Sequence, residues 1–142
     1  MKIRQLSIFL ENKAGRLAGV INVLGEAGID ILAISVADTA DFGILRLIVK
    51  DIDRAQKVLN DQAIVCGVNN VTVVEVEAVP GSLGKVLDVL NKANVNIEYM
   101  YAIAQTKSVN PLMVFRFVET AEAISAMEAA GIKLLSEDTL FA

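Results

Sequence analysis

Ala14-Gly15-Arg16-Leu17 and Pro80-Gly81-Ser82-Leu83 stand 66 residues apart, from Gly15 to Gly81, and the likeness extends well past them. At the same spacing Val20 meets Val86, Val23 meets Val89, Leu24 meets Leu90, Ala27 meets Ala93 and Ile31 meets Ile97. Seven of the 17 positions from 15 to 31 are identical, where chance would give about one. The chain is therefore read as an internal repeat. Further on the spacing lengthens to 70: Leu45-Arg46-Leu47 aligns with Phe115-Arg116-Phe117, which a four-residue insertion near Lys107 to Pro111 accommodates. Gly67-Val68-Asn69-Asn70 reads as a turn and sets the expected domains at 1–69 and 70–142.

Each half carries the same order of signals. Residues 3–10 alternate, with Leu6, Ile8 and Leu10 on one face and Ser7 and Phe9 on the other. Leu17, Val20, Ile21 and Leu24 follow at helical spacing, with Gly25 and Gly28 marking the end. A β-branched strand is expected over 29–38, a turn at Thr39-Ala40-Asp41 and a strand over 42–49. Asp51 or Asp53 is placed to cap a helix carrying Ala55, Val58 and Leu59, and a short strand is expected from Ala63 to Cys66. In the second half the expected elements are strand 71–78, helix 81–93, strands 95–106 and 112–118, helix 120–130 and a last strand at Lys133 to Leu135. The order βαββαβ, twice, predicts an α+β protein of two ferredoxin-like modules, each an antiparallel four-stranded sheet with two helices on one face. The other face of each sheet then needs cover.

Asn12-Lys13-Ala14-Gly15-Arg16-Leu17 followed by Gly28-Ile29-Asp30-Ile31 resembles the ACT-domain signature, and so does Val79-Pro80-Gly81-Ser82-Leu83 followed by Asn94-Val95-Asn96-Ile97. The chain as a whole is similar to stand-alone ACT tandems such as the glycine-cleavage regulator, and to the regulatory domain of phosphoglycerate dehydrogenase. The resemblance implies a non-catalytic regulator that binds a small amino acid at ACT–ACT interfaces, near the loop from strand one to helix one. In the phosphoglycerate dehydrogenase type the ligand is held by an Asn in that loop, by backbone near the Gly and by a polar residue at the turn into strand two. The matching positions are Asn12, Gly15 and Asp30 in the first half and Ala78, Gly81 and Asn96 in the second. Their neighbours Ala14, Arg16, Leu17, Ile31, Ser82, Leu83 and Ile97 complete the candidate ligand-binding set. That type also uses a His at the end of strand one, where this chain has Leu10 and Val76, and Ala78 lacks the amide of Asn12.

The chemistry of the motif is coherent. A helix N-terminus exposes N–H groups and partial positive charge, so a carboxylate can dock where no Cβ blocks the backbone. Asn12 and Asp30 offer oxygens to an ammonium group. The structural alternative is that Gly15 permits a tight turn and Asn12 caps the helix.

Composition narrows the other classes. The chain of 142 residues is 54% hydrophobic, with a mean hydropathy of +0.53. Two small domains hide so much apolar surface only with difficulty, so the halves are expected to pack on each other and the chain to form a homodimer. No apolar run approaches the roughly 20 residues of a membrane span, and the start shows no signal-peptide layout; the cytoplasm is the expected compartment. A net charge of −4 argues against a nucleic-acid partner. With no His and one Cys, the usual general base, metal ligands and nucleophile pairs are missing, so no cofactor, no metal and no catalysis are expected. An acylphosphatase-like reading rests on Arg16 beside Gly15 alone, and Ser82 replaces it in the second half. An interaction module that docks on a metabolic enzyme or regulator without a small ligand is the alternative function.

Arg46 and Arg116 sit mid-strand at equivalent places in the repeat, on the face away from the helices. They read either as members of cross-strand ion pairs such as Glu75–Arg116 or as lining of an inter-domain site. Tyr99 and Tyr101 share one face. Cys66, Met100, Met113 and Met127 read as core.

Overall fold

The computed structural model describes residues 2–11, 13–38 and 42–142. The elements are β1 (Ile3–Glu11), α1 (Arg16–Glu26), β2 (Ile31–Asp38), β3 (Phe42–Val49), α2 (Ile52–Asp61), β4 (Cys66–Glu75), α3 (Ser82–Lys92), β5 (Ile97–Ala102), β6 (Leu112–Phe117), α4 (Thr120–Ala129), β7 (Lys133–Leu135) and α5 (Glu137–Leu140). They form two compact units, Arg4–Asn69 and Asn70–Ala142, the latter joined by the first residues through Ile3. The architecture is α+β, two βαββαβ units with antiparallel strands.

In the first unit β3 lies between β1 and β2. Leu6, Ile8 and Leu10 of β1 and Leu45, Leu47 and Val49 of β3 point to one side. There they meet Val20 and Leu24 of α1 and Ile52, Ala55 and Leu59 of α2. Alternation thus selects the buried face, and Phe9, on the opposite face, is 75% exposed. Asp51 caps α2 by accepting the Arg54 N–H at 3.2 Å, while Asp53 pairs with Arg4 at 3.1 Å. Cys66 packs against this core, and burial pushes its thiol pKa up.

In the second unit the ladder runs β5-β6-β4-β7. Val74 and Val76 with Phe115 and Phe117 pack against Val86 and Leu90 of α3 and Ala123 and Met127 of α4. The Phe115 and Phe117 rings stack at 5.4 Å. Met100 and Met113 pack at the edge of the same core.

Several expectations are corrected. Gly67 to Asn70 is not a turn but part of β4, which runs unbroken through the Val-rich stretch after it; Gly67 is not among the positive-φ residues. Ala63 is not in a strand, because its φ of 59° places it in the turn after α2. Gly25 lies inside α1, and Gly28, with φ 70°, makes the exit. The strand expected over 95–106 is only Ile97–Ala102. α5 was not anticipated, although Ser136 caps it by accepting the Thr139 N–H at 3.3 Å. The expected turn at 39–41 lies outside the described residues.

The repeat register is also corrected. Ile31 faces Val49 as Ile97 faces Phe117, and Ser35 faces Arg46 as Tyr101 faces Val114. The later spacing is therefore 68 (49 to 117) rather than 70, and the insertion between β5 and β6, relative to β2 and β3, is two residues. Arg46 corresponds to Val114, and Arg116 corresponds to Ile48. Among the described residues every positive-φ residue has a counterpart: Gly15 with Gly81 and Gly28 with Asn94 at a spacing of 66, and Ala63 with Gly131 at 68.

Candidate functional site

Both strand-to-helix loops enter their helices the same way. Gly15 and Gly81 are the N-caps, at φ 85° and ψ −10° and at φ 88° and ψ −8°. This left-handed conformation is open to glycine at little cost. The next residue donates its N–H three positions back, Arg16 to the Lys13 carbonyl at 3.3 Å and Ser82 to the Val79 carbonyl at 3.2 Å. Each glycine carbonyl accepts the first helical bond, from Gly19 at 2.9 Å and from Lys85 at 3.1 Å. Among the described residues no side chain caps either helix. First-turn N–H groups in this arrangement have no intrahelical acceptor and carry the positive end of the helix dipole.

The side chains on the two loops differ. On the first loop the Glu11 carboxylate takes Lys13 Nζ at 3.0 Å and lies 4.0 Å from Arg16. The hydrogen bond from Lys13, then the charges of Lys13 and Arg16, hold the Glu11 pKa below its usual value. On the second loop the places of Lys13, Ala14 and Arg16 are taken by Val79, Pro80 and Ser82. That loop is pinned by the connection between β5 and β6: the Ala78 N–H donates to Asn110 Oδ1 at 3.3 Å and the Val76 N–H to the Pro111 carbonyl at 2.9 Å. Gly81 and Leu83 border an open groove of about 330 Å³ lined also by Val76, Glu77, Ala78, Val79, Gly84, Pro111 and Met113. Ser82 borders a neighbouring groove of about 300 Å³ with Glu75, Lys85, Val86, Val89 and Ile132.

The structure brings together Ala14, Gly15, Arg16 and Leu17 at the start of α1, and Gly81, Ser82 and Leu83 at the start of α3. Asp30 and Ile31, and likewise Asn96 and Ile97, follow the far ends of those helices. Each helix has 11 residues, a rise of about 16 Å. Within one unit the two sets of candidates are thus at opposite ends. Asn12 lies outside the described residues. Asn96 is already engaged: its N–H and its amide nitrogen donate to the two Glu119 oxygens at 2.9 and 3.1 Å. Glu119 escaped the sequence reading, although a carboxylate directly before a helix start was its signal. Asn110 escaped it because only the length of its loop was legible.

Arg116 does not pair with Glu75. Its Nη1 donates to the Asn70 carbonyl at 2.7 Å, and its Nε lies 3.8 Å from Glu98. Glu75 instead meets Lys133 at 3.7 Å and accepts from the Ser108 hydroxyl at 3.2 Å. The β4–β6 register explains this, since Glu75 faces Leu112 at the other end of the ladder from Arg116. Tyr99 and Tyr101 do share a face, their rings stacked at 6.4 Å. Among the described residues no group of His, Cys, Asp and Glu could hold a metal ion. No helix there is long and apolar enough to cross a membrane.

Comparison with known proteins bears on identity. The chain is similar over 99% of its length, and 96% of the other chain, to the crystal structure of protein BT0572 from Bacteroides thetaiotaomicron, at 40% identity and a TM-score of 0.90. It is similar in fold to the ligand-free regulatory subunit of aspartate kinase from Thermus thermophilus, at 18% identity over 89% of this chain and 91% of that one, TM-score 0.61. The regulatory subunit of aspartate kinase from Thermus flavus also matches, at 18% identity over 90% and 92%, TM-score 0.56. No curated protein matches significantly. The sequence profile of the ACT domain pair matches residues 1–141. With two βαββαβ units and a glycine-led helix entry in each, the chain belongs to the ACT-domain-pair family.

Proposed function

We propose that this ACT-domain pair, one domain over 1–69 and the other over 70–142, is a non-catalytic cytoplasmic regulator that binds a small amino-acid effector at its strand-to-helix loops. The observation behind this reading is the shared helix entry, a left-handed glycine before a helix without a side-chain cap, beside a groove in the second unit. The effector carboxylate docks on the first-turn N–H groups, and nearby acceptors take its ammonium. Asp30 and Asn96 follow the far ends of α1 and α3, too far from the glycine of the same unit to share a ligand with it. A homodimer would let another copy supply them, so the proposed sites lie at ACT–ACT interfaces formed between copies. The effector regulates by binding one arrangement of the copies better than another.

Thermal melting against the twenty amino acids tests the reading. A ligand that binds only the folded state at about 100 times its Kd adds roughly 2.7 kcal/mol. A rise in melting temperature with one amino acid, lost in a folded Gly15→Val or Gly81→Val variant, supports the proposal. No rise with any amino acid at millimolar concentration refutes it. A monodisperse monomer by light scattering refutes the dimer.

One observation favours the interaction-module alternative. Phe9 is 75% and Phe42 52% exposed, and the β1–β3 register places them on the same face, away from the helices. Under that reading Phe9→Ser abolishes capture of an enzyme partner, and Gly81→Val does not.

A further inference from the structure

The strand-to-helix loops leave the effector's side chain open, but the second unit's groove constrains it. Its volume of about 330 Å³ is at the small end of ligand pockets, which run from about 300 to 1,000 Å³. That accommodates an amino acid. Val76, Val79, Leu83, Pro111 and Met113 supply apolar walls, and Glu77 is the single charged side chain in the lining. Glu77 makes no ion pair among the described residues. A polar ligand side chain placed against these walls would shed water and find no side-chain hydrogen-bond partner there other than a carboxylate. The first loop differs at one of the corresponding places, with Lys13 where Val79 stands.

We infer that the groove bounded by Val79, Leu83, Pro111 and Met113 takes an α-amino acid with an unbranched or branched apolar side chain, its ammonium on Glu77. This rests on the effector reading and adds its chemical class. The apolar side chain lies along the walls, where each methylene removed from water tightens binding. A ligand with an acidic side chain is repelled by Glu77. The second unit therefore selects by apolar bulk.

Titration calorimetry on the full chain with alanine, 2-aminobutyrate, norvaline and norleucine tests the inference, with serine, asparagine and aspartate as polar counterparts. Each added methylene should tighten Kd about fourfold, and the polar set should bind more weakly than norvaline. Val79→Lys installs the residue of the first loop at an exposed position, so the melting temperature without ligand should hold while norleucine affinity falls about tenfold. Glu77→Gln should weaken the whole series alike. A flat series, or tighter binding of the polar set, overturns the inference and leaves the effector reading standing. Apolar binding untouched by Val79→Lys overturns the placement in this groove. No heat with any of the seven compounds, and no melting shift with any of the twenty amino acids, overturns both.

Discussion

Alanine at Gly81 and alanine at Gly84 should change stability in opposite directions, although the sites are three residues apart. Gly81 holds φ 88°, a region that costs an L-residue about 1–2 kcal/mol. A Cβ built there meets nothing within 4 Å, so no clash adds to the backbone strain. Alanine also restricts the unfolded chain, which returns about 0.4–1 kcal/mol. The net expectation for Gly81→Ala is a loss of about 1 kcal/mol. Gly84 is inside α3 and its Cβ is equally unobstructed. Alanine there should gain about 0.5–1 kcal/mol from helix propensity. With an m-value near 2 kcal/mol/M in urea, the two variants should differ in midpoint by somewhat less than about 1 M. The chain has no Trp, so far-UV circular dichroism is the suitable probe. The first unit offers the same contrast, Gly15→Ala against Gly19→Ala, again without obstruction at either Cβ. A Gly81→Ala variant as stable as the parent would refute the left-handed cap and with it the shared helix entry.

Three other expectations follow from single contacts. Lys13→Ala should raise the Glu11 pKa toward the ordinary glutamate value, followed by NMR titration. The pKa is depressed in the folded chain, so any stability from the pair is present above the unfolded value and disappears as pH falls through the folded one; a Glu11 midpoint unchanged by the variant refutes the contact. Cys66 should react with iodoacetamide more slowly in the native state than in urea, because burial pushes its pKa up and leaves less thiolate; equal rates would refute its burial. Glu119→Ala should cost about 1 kcal/mol in melting experiments, and Asn96→Ala on top of it should cost little more, since the bond from the Asn96 amide to Glu119 is then already lost and the other bond comes from the Asn96 backbone N–H. Full additivity would mean the pair is not formed in solution.

Most of the fold was legible because burial follows period. The alternation of Leu6, Ile8 and Leu10 named the inner face of β1, and the bounds of β3 and β7 came out as read. The same periodicity concealed the repeat register. Strand side chains repeat every two residues, so a shift of two matches Arg46 to Arg116 with every apolar neighbour still on its proper face. Pairing partners, which a sequence does not carry, separate 68 from 70. At Gly67 to Asn70 a local turn signal competed with the β-branched run of Val71 to Val74, and the strand extended through it. The loop glycines of the site were legible because their conformation excludes most other residues. Its walls were not, because Pro111 arrives from a connection whose path depends on Asn110 and Ser108, and Met113 follows it in β6. The wide spacing of Gly15 from Asp30 along the helix, plain in three dimensions, reads in sequence as simple proximity within one motif.

The paired positive-φ positions have a consequence for how such duplications are traced. Where one half keeps glycine at residue 28, the other has Asn94; where one half has Ala63, the other keeps Gly131. Two of the three pairs have thus lost residue identity while the dihedral angle persisted. Both members of each of these pairs carry the same backbone hydrogen bond three residues back, Gly28 to Gly25 and Asn94 to Asn91 at 3.0 Å, Ala63 to Asn60 at 2.9 Å and Gly131 to Glu128 at 3.0 Å. Kinship between diverged copies is accordingly better tracked by the spacing of left-handed residues than by matching letters. Each copy also shows which non-glycine residue the other could accept at that place, a natural guide for recombining halves.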